Sequence, residues 1–127
     1  MQSDAEIRLP ADGAYVAVLR ITTAGLAARL DFTLDDIEDL RMAVGEASTM
    51  LLERARPGGQ LIATYRLGDG RIDVRVSVDA INPTPPETDS FAWQVLTTTA
   101  TDVTAEAGDD LLTIALAVTS TTSSAPA

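Results

Sequence analysis

The sequence contains no cysteine, no histidine and no lysine, and all nine of its basic residues are arginine. Without cysteine there is no disulfide, thiolate nucleophile, zinc knuckle or redox pair. Without histidine there is no Ser-His-Asp triad and no imidazole metal site. Without lysine there is no Walker-A lysine, Schiff base or Ser-Lys dyad. The remaining chemical material is carboxylates, hydroxyls, arginine and backbone amides. These are compatible with a carboxylate-held magnesium site for phosphoryl transfer, with a glycosidase pair, or with no chemistry at all. Aromatic residues are also scarce, at 4%. No groove-lining aromatics accompany the acids, so a carboxylate-pair hydrolase ranks below the other readings.

What is abundant is negative charge. Nineteen acids against nine bases give a formal charge of −10. Such a surface repels phosphate backbones and anionic lipid, which argues against nucleic-acid or membrane-surface binding and favours a partner with a basic face. No apolar run approaches the roughly 20 residues of a membrane span. The opening MQSDAEIRLP lacks the hydrophobic stretch of a signal peptide, so the expectation is a cytoplasmic protein. The 127 residues, 46% of them hydrophobic, suit one domain with its own core.

Along the chain, Ala5–Leu9 reads as a short strand closed by Pro10. Residues 14–30 read as a helix whose apolar stripe is Tyr15, Val18, Leu19, Leu26 and Leu30, weakened by Thr22, Thr23 and Gly25. Thr33 to Arg56 is the strongest helix. Thr33 and Asp36 form a capping-box pattern, and Leu34, Ile37, Leu40, Val44, Ala47, Leu51 and Ala55 form its stripe. Acids fill its first turns, Arg54 and Arg56 sit in its expected last turn, and Pro57-Gly58-Gly59 ends it. A hairpin follows, with Leu61 to Leu67 and Ile72 to Val78 alternating around Gly68-Asp69-Gly70. The proline-rich stretch 79–90 is a loop. Ser90 caps a short helix from Phe91 to Thr99, with Phe91, Val95 and Leu96 expected inward and Trp93 unassigned. A second hairpin turns at Gly108-Asp109-Asp110. The order β-α-α-β-β-loop-α-β-β predicts an α+β two-layer sandwich, an antiparallel-rich mixed sheet covered on one face by helices. A single domain over residues 1–118 and a disordered low-complexity tail over 119–127 complete the expectation.

The long helix carries Asp36, Asp39, Leu40, Ala43, Val44, Glu46, Ala47 and Thr49, and then Met50. This run resembles the motif helix of the RsbW-like anti-sigma factor serine kinases, within the GHKL superfamily of Bergerat-fold ATPases. There the pattern is close to D-x-x-D-[IL]-x-x-A-V-x-E-A-x-T-N. The element order matches too, so the resemblance spans about residues 5–118 and implies a Bergerat-type fold. In that family the Glu acts as or positions a base, the following Asn binds the magnesium that bridges ATP phosphates, a D-x-G-x-G segment reads adenine, and a glycine-rich loop wraps the phosphates.

This chain departs from that pattern at three places. Met50 stands where the Asn ligand is expected. Asp79 is present at the adenine position, but it is followed by Ala80-Ile81-Asn82-Pro83 instead of the glycines. No glycine occurs between Asn82 and Asp102. The resemblance is therefore to a degenerate actinobacterial branch, the UsfX-type anti-sigma factors, which share the segment Ser90, Phe91, Trp93, Val95, Leu96. It implies a pseudo-kinase of a stress-response circuit with no cofactor required, Asp79 and Glu46 being vestigial nucleotide residues, and at most weak ATP and magnesium binding. The implied partners are an alternative sigma factor and an anti-anti-sigma STAS protein, with a homodimer formed through the first strand and helix. Candidate partner-binding residues are Arg20, Asp35, Asp36, Asp39 and Trp93.

Each of these residues also has a plain structural reading. Glu46 suits a helix surface, Asp79 a strand end, Met50 a packing position, and the acids around Asp36 a dipole complement. Two other functions stay open. One is an active ATP-dependent serine kinase that phosphorylates its antagonist through Glu46 and Asp79. The other is a small acidic scaffold domain.

Overall fold

The computed structural model describes residues 3–121. Its elements are β1 (Ala5–Pro10), a 3-10 turn (Gly13–Tyr15), α1 (Val16–Ala27), α2 (Leu34–Leu52), β2 (Gln60–Gly68), β3 (Arg71–Asp79), α3 (Phe91–Thr99), β4 (Asp102–Gly108) and β5 (Leu111–Thr119). The strands form one sheet in the order β1-β2-β3-β5-β4. Every pairing is antiparallel, so the expected antiparallel-rich sheet is wholly antiparallel among the described residues.

Register explains why the period of two was so clean. Leu9, Leu61, Val78, Leu112 and Ala107 stand side by side across the five strands. Ile7, Ala63, Val76, Ile114 and Ala105 make a second row, and Ala5, Tyr65, Val74, Leu116 and Val103 a third. All these side chains point to one face, where α1, α2 and α3 cover them through Leu19, Leu40, Val44, Ala47, Leu51, Trp93 and Leu96. The opposite face is polar. Arg71 reaches Asp73 and Asp102, and Arg75 reaches Glu106, across the small Ala115 and Ala117 of β5. This is the two-layer α+β sandwich expected from the element order.

Two turns depend on glycine, one for its conformation and one for the space it leaves. Gly70, at φ +70°, closes the β2–β3 hairpin after Asp69. Gly59 is packed so tightly that a Cβ there would lie 2.9 Å from the Cβ of Asp79.

Several sequence expectations are corrected. The buried face of α1 is Val16, Leu19, Thr23 and Ala27, one step from the expected stripe, and Tyr15 and Val18 face outward. Thr23 fits the core because its hydroxyl donates to the Leu19 carbonyl at 2.8 Å and meets the Tyr65 hydroxyl at 2.7 Å. In α2 the capping box is present as read, but Leu34 is 84% exposed as the first helical residue. The helix ends at Leu52, before Arg54 and Arg56. Beyond it Ala55 bridges to Ala80, and the Arg56 N–H donates to the Asp79 carbonyl at 2.7 Å, which pulls the chain out of helical conformation. In α3, Trp93 and Leu96 face the core while Phe91, two residues before Trp93, points the other way at 81% exposure. Finally, Thr119 continues β5, and Ser120 and Thr121 are hydrogen-bonded to the first turn of α2, so order runs past residue 118. Residues 122–127 of the expected tail lie outside the described residues.

Candidate functional site

The second half of α2, the loop over residues 80–90 and the start of α3 enclose a cleft of about 180 Å³. Its floor is Met50 and Leu51 from α2 with Leu112 and Ile114 from β5. Its rim carries Glu46, Glu53, Arg54, Pro86 and Glu87. Helical spacing puts Glu46 and Met50 one turn apart on the same side of α2. The antiparallel β3–β5 pair carries the apolar floor beneath them. Past the helix end, Arg54 donates to the carbonyl of Thr84 at 3.3 Å and to its hydroxyl at 3.4 Å, so the proline-rich loop is strapped to α2. Ser90 anchors the other end of that loop by capping α3, accepting from the Trp93 N–H at 3.1 Å.

The sequence-derived residues do not all converge here. Glu46 and Met50 line the cleft; Asp79 does not. Instead Asp79 Oδ2 accepts the Gln60 N–H at 2.8 Å and orders the start of β2. Among the described residues, no group of three or more His, Cys, Asp or Glu side chains is arranged to hold a metal ion.

Arg20 sits beside this cleft. Its guanidinium lies over Gly45 of α2, so close that a Cβ at that position would come within 2.8 Å of Nη2. It has no ion-pair partner among the described residues. Arg20 and Glu46 border one shallow depression, and Arg20, Thr49 and Glu53 border another. The cleft and the Arg20 shelf are thus one continuous surface.

The acidic candidates divide. Asp35 and Asp39 are exposed on α2. Asp36 is 4% exposed and fully engaged. Its carboxylate accepts the Thr33 N–H at 3.0 Å, the Thr121 N–H at 3.1 Å and the Thr121 hydroxyl at 3.1 Å. Burial pushes its pKa up, but the hydrogen bonds from Thr33 and Thr121 outweigh this and hold it below the ordinary 3.8. Ser120 extends the same clasp by donating to the Asp31 carbonyl at 2.5 Å. Asp36 is therefore a structural clasp and not surface for a partner. Trp93, also a partner candidate, is 9% exposed and belongs to the core. Phe91 is the aromatic side chain that α3 presents to solvent. The sequence carried a usable signal for it, since a residue two positions from a buried one on a helix falls on the opposite side. Glu53 and Glu87 had no local signal, because only the tertiary fold brings them to the cleft.

No family model matches the chain. Serine-protein kinase RsbW of Bacillus thuringiensis (strain Al Hakam) is 34% identical over 79 residues, covering 61% of this chain and 49% of that protein. Serine-protein kinase RsbW of Bacillus anthracis matches with the same figures, 34% over 79 residues. The match thus extends over about half the length of these curated relatives, 49% in each case. The crystal structure of the RsbU and RsbW domains of Rv1364c from Mycobacterium tuberculosis superposes with a TM-score of 0.71 at 16% identity, covering 91% of this chain and 31% of that one. That likeness carries the architecture, and over 61% of its length the chain is similar in sequence to the serine-protein kinases RsbW of Bacillus.

Proposed function

We propose that this chain works by holding protein partners and not by transferring phosphate. In this reading it is an anti-sigma factor that sequesters an alternative sigma factor, and a STAS-type anti-anti-sigma protein displaces the sigma factor by competition. Sequestration acts by covering the surface with which the sigma factor engages RNA polymerase, in the cytoplasm. The exposed Arg20, Asp35 and Asp39 are the charged contacts. A homodimer is part of the same reading.

The observation that carries it is Met50. The residue at the expected magnesium position lines the cleft with a thioether, which is no ligand for a hard cation. Other features point the same way. The cleft, at about 180 Å³, is smaller than the roughly 300–1,000 Å³ of ligand pockets. Asp79, the expected adenine acceptor, spends one oxygen on Gln60 and lies outside the cleft lining. The loop that would have to wrap phosphates has no glycine and is strapped down by Arg54. This residue set does not fit a magnesium-bound triphosphate, so no phosphoryl-transfer step is assigned.

Calorimetry with Mg·ATP tests the claim. The expected outcome is no saturable heat at micromolar nucleotide. Micromolar binding that disappears in Asp79→Ala establishes the kinase reading instead. Affinity capture from the native host, read by mass spectrometry, is expected to retrieve a sigma factor, and consistent capture without one refutes sequestration.

A further inference from the structure

We propose that the cleft beside Met50 is a socket for a single arginine side chain of a protein partner. The inference rests on the binding-protein reading above and names what the site takes. Three carboxylates, Glu46, Glu53 and Glu87, stand around one small cavity. None of the three has an ion-pair or side-chain hydrogen-bond partner among the described residues. The nearest base, Arg54, is turned to Thr84. Arg20 lies over Gly45 on the adjoining surface, so three carboxylates face two arginines that are not ion-paired to them, and the recess keeps a net negative charge that attracts a cation.

The character of that cation follows from the rest of the lining. A metal ion needs several oxygens converging on one point, and these acids are not so arranged. They are spread round a rim, while the floor is apolar, made by Met50, Leu112 and Ile114. A guanidinium on an aliphatic stem matches both parts. Its methylenes pack on the apolar floor, and its planar fork of five donors serves separated carboxylates. A compact ammonium reaches fewer of them at once. About 180 Å³ admits one side chain but not a nucleotide-sized ligand. The adjacent free Arg20 then selects an acidic residue beside the partner's arginine, so the surface reads a paired basic and acidic feature.

The test is an NMR titration of the full chain with Nα-acetyl-arginine methylamide, against the uncharged citrulline analogue and the lysine analogue. Saturable shifts are expected in the methyls of Met50, Leu112 and Ile114 with arginine, weaker ones with lysine, and none with citrulline. The double variant Glu46→Gln and Glu87→Gln is expected to weaken arginine binding on the order of tenfold. Met50→Arg, which supplies the chain's own guanidinium at the site, is expected to abolish it. Unchanged amide shifts across the sheet verify that both variants are folded. Equal shifts from citrulline, or non-saturating shifts scattered over Asp35 and Asp39, overturn the socket while leaving the binding-protein reading intact. Saturable shifts of the same methyls by Mg·ATP overturn both.

Discussion

At the scale of single residues, Asp36 shows how one carboxylate is committed to structure although its sequence context suggests a surface role. It closes the capping box and also receives Thr121, 85 positions away. Asp36→Asn keeps the shape but loses charge-assisted acceptance, and a cost of about 1–2 kcal/mol is expected from the urea midpoint. The pH dependence has a definite sign. Because the folded-state pKa lies below 3.8, the contribution is fully present above that value and is lost as pH falls through the depressed folded value. The wild-type chain should therefore lose stability below about pH 4 with a slope that Asp36→Asn lacks. Equal acid slopes in the two proteins contradict the assignment. The capping box itself was legible, since its two members are three residues apart. The clasp was not, because hydrogen bonds across 85 positions leave no local pattern.

Between elements, the two contacts that seat α1 behave differently. Tyr65 joins β2 to α1. Since the Thr23 proton goes to the Leu19 carbonyl, the Tyr65 hydroxyl donates to Thr23. Tyr65→Phe removes that donation and leaves Thr23 satisfied, so a loss of about 1 kcal/mol is expected in urea unfolding. Arg20 over Gly45 is a contact of another kind. Gly45→Ala adds a Cβ where the guanidinium now lies, but that neighbour is the free end of a flexible side chain and can move. Alanine also suits a helix interior better, by roughly 0.5–1 kcal/mol. Gly45→Ala is therefore expected to unfold at equal or higher urea while binding the partner retrieved by affinity capture more weakly. Arg20→Ala should share the binding defect at unchanged stability. A binding defect that simply tracks stability across these variants removes Arg20 from the interface. The same elements show what sequence patterning can and cannot reach. In β2 and β3 the buried positions alternate with wetter ones, so alternation alone assigned the inward residues, whereas in the interior β5 Thr113 and Ala117 on the outer face are buried as well. In α1 the rule failed because a hydrogen-bonded threonine fills a core position while Tyr15 and Val18 do not. Glu46 was identified through its motif, but its neighbours in the cleft come from a loop and two strand positions that only the β3–β5 pairing assembles.

Across the whole molecule, charge is separated by layer. On the outer sheet face Arg8, Arg71 and Arg75 are paired with Glu6, Asp73, Asp102 and Glu106. These are solvent-screened pairs, each contributing little to stability. Their effect on the field is larger, because they cancel most of the charge on that face. On and just beyond α2, Asp35, Asp39, Glu46 and Glu53 have no ion-pair partner among the described residues and outnumber the unpaired Arg20 and Arg54 beside them. The side that carries the cleft and Arg20 thus retains unpaired negative charge. A basic partner approaching from solution is drawn to that layer before any contact forms, and this attraction acts on the rate of encounter more than on the lifetime of the complex. Raising salt from 0.01 M to 1 M shrinks the screening length from about 30 Å to about 3 Å. Stopped-flow association with the partner retrieved by affinity capture should therefore slow on the order of tenfold or more over that range, while dissociation changes less. Asp35→Asn with Asp39→Asn should reduce both the low-salt rate and its salt slope, whereas Asp102→Asn on the sheet face should alter neither. If the sheet-face variant has the larger effect, the partner docks on the strands and the helical layer is not the binding surface.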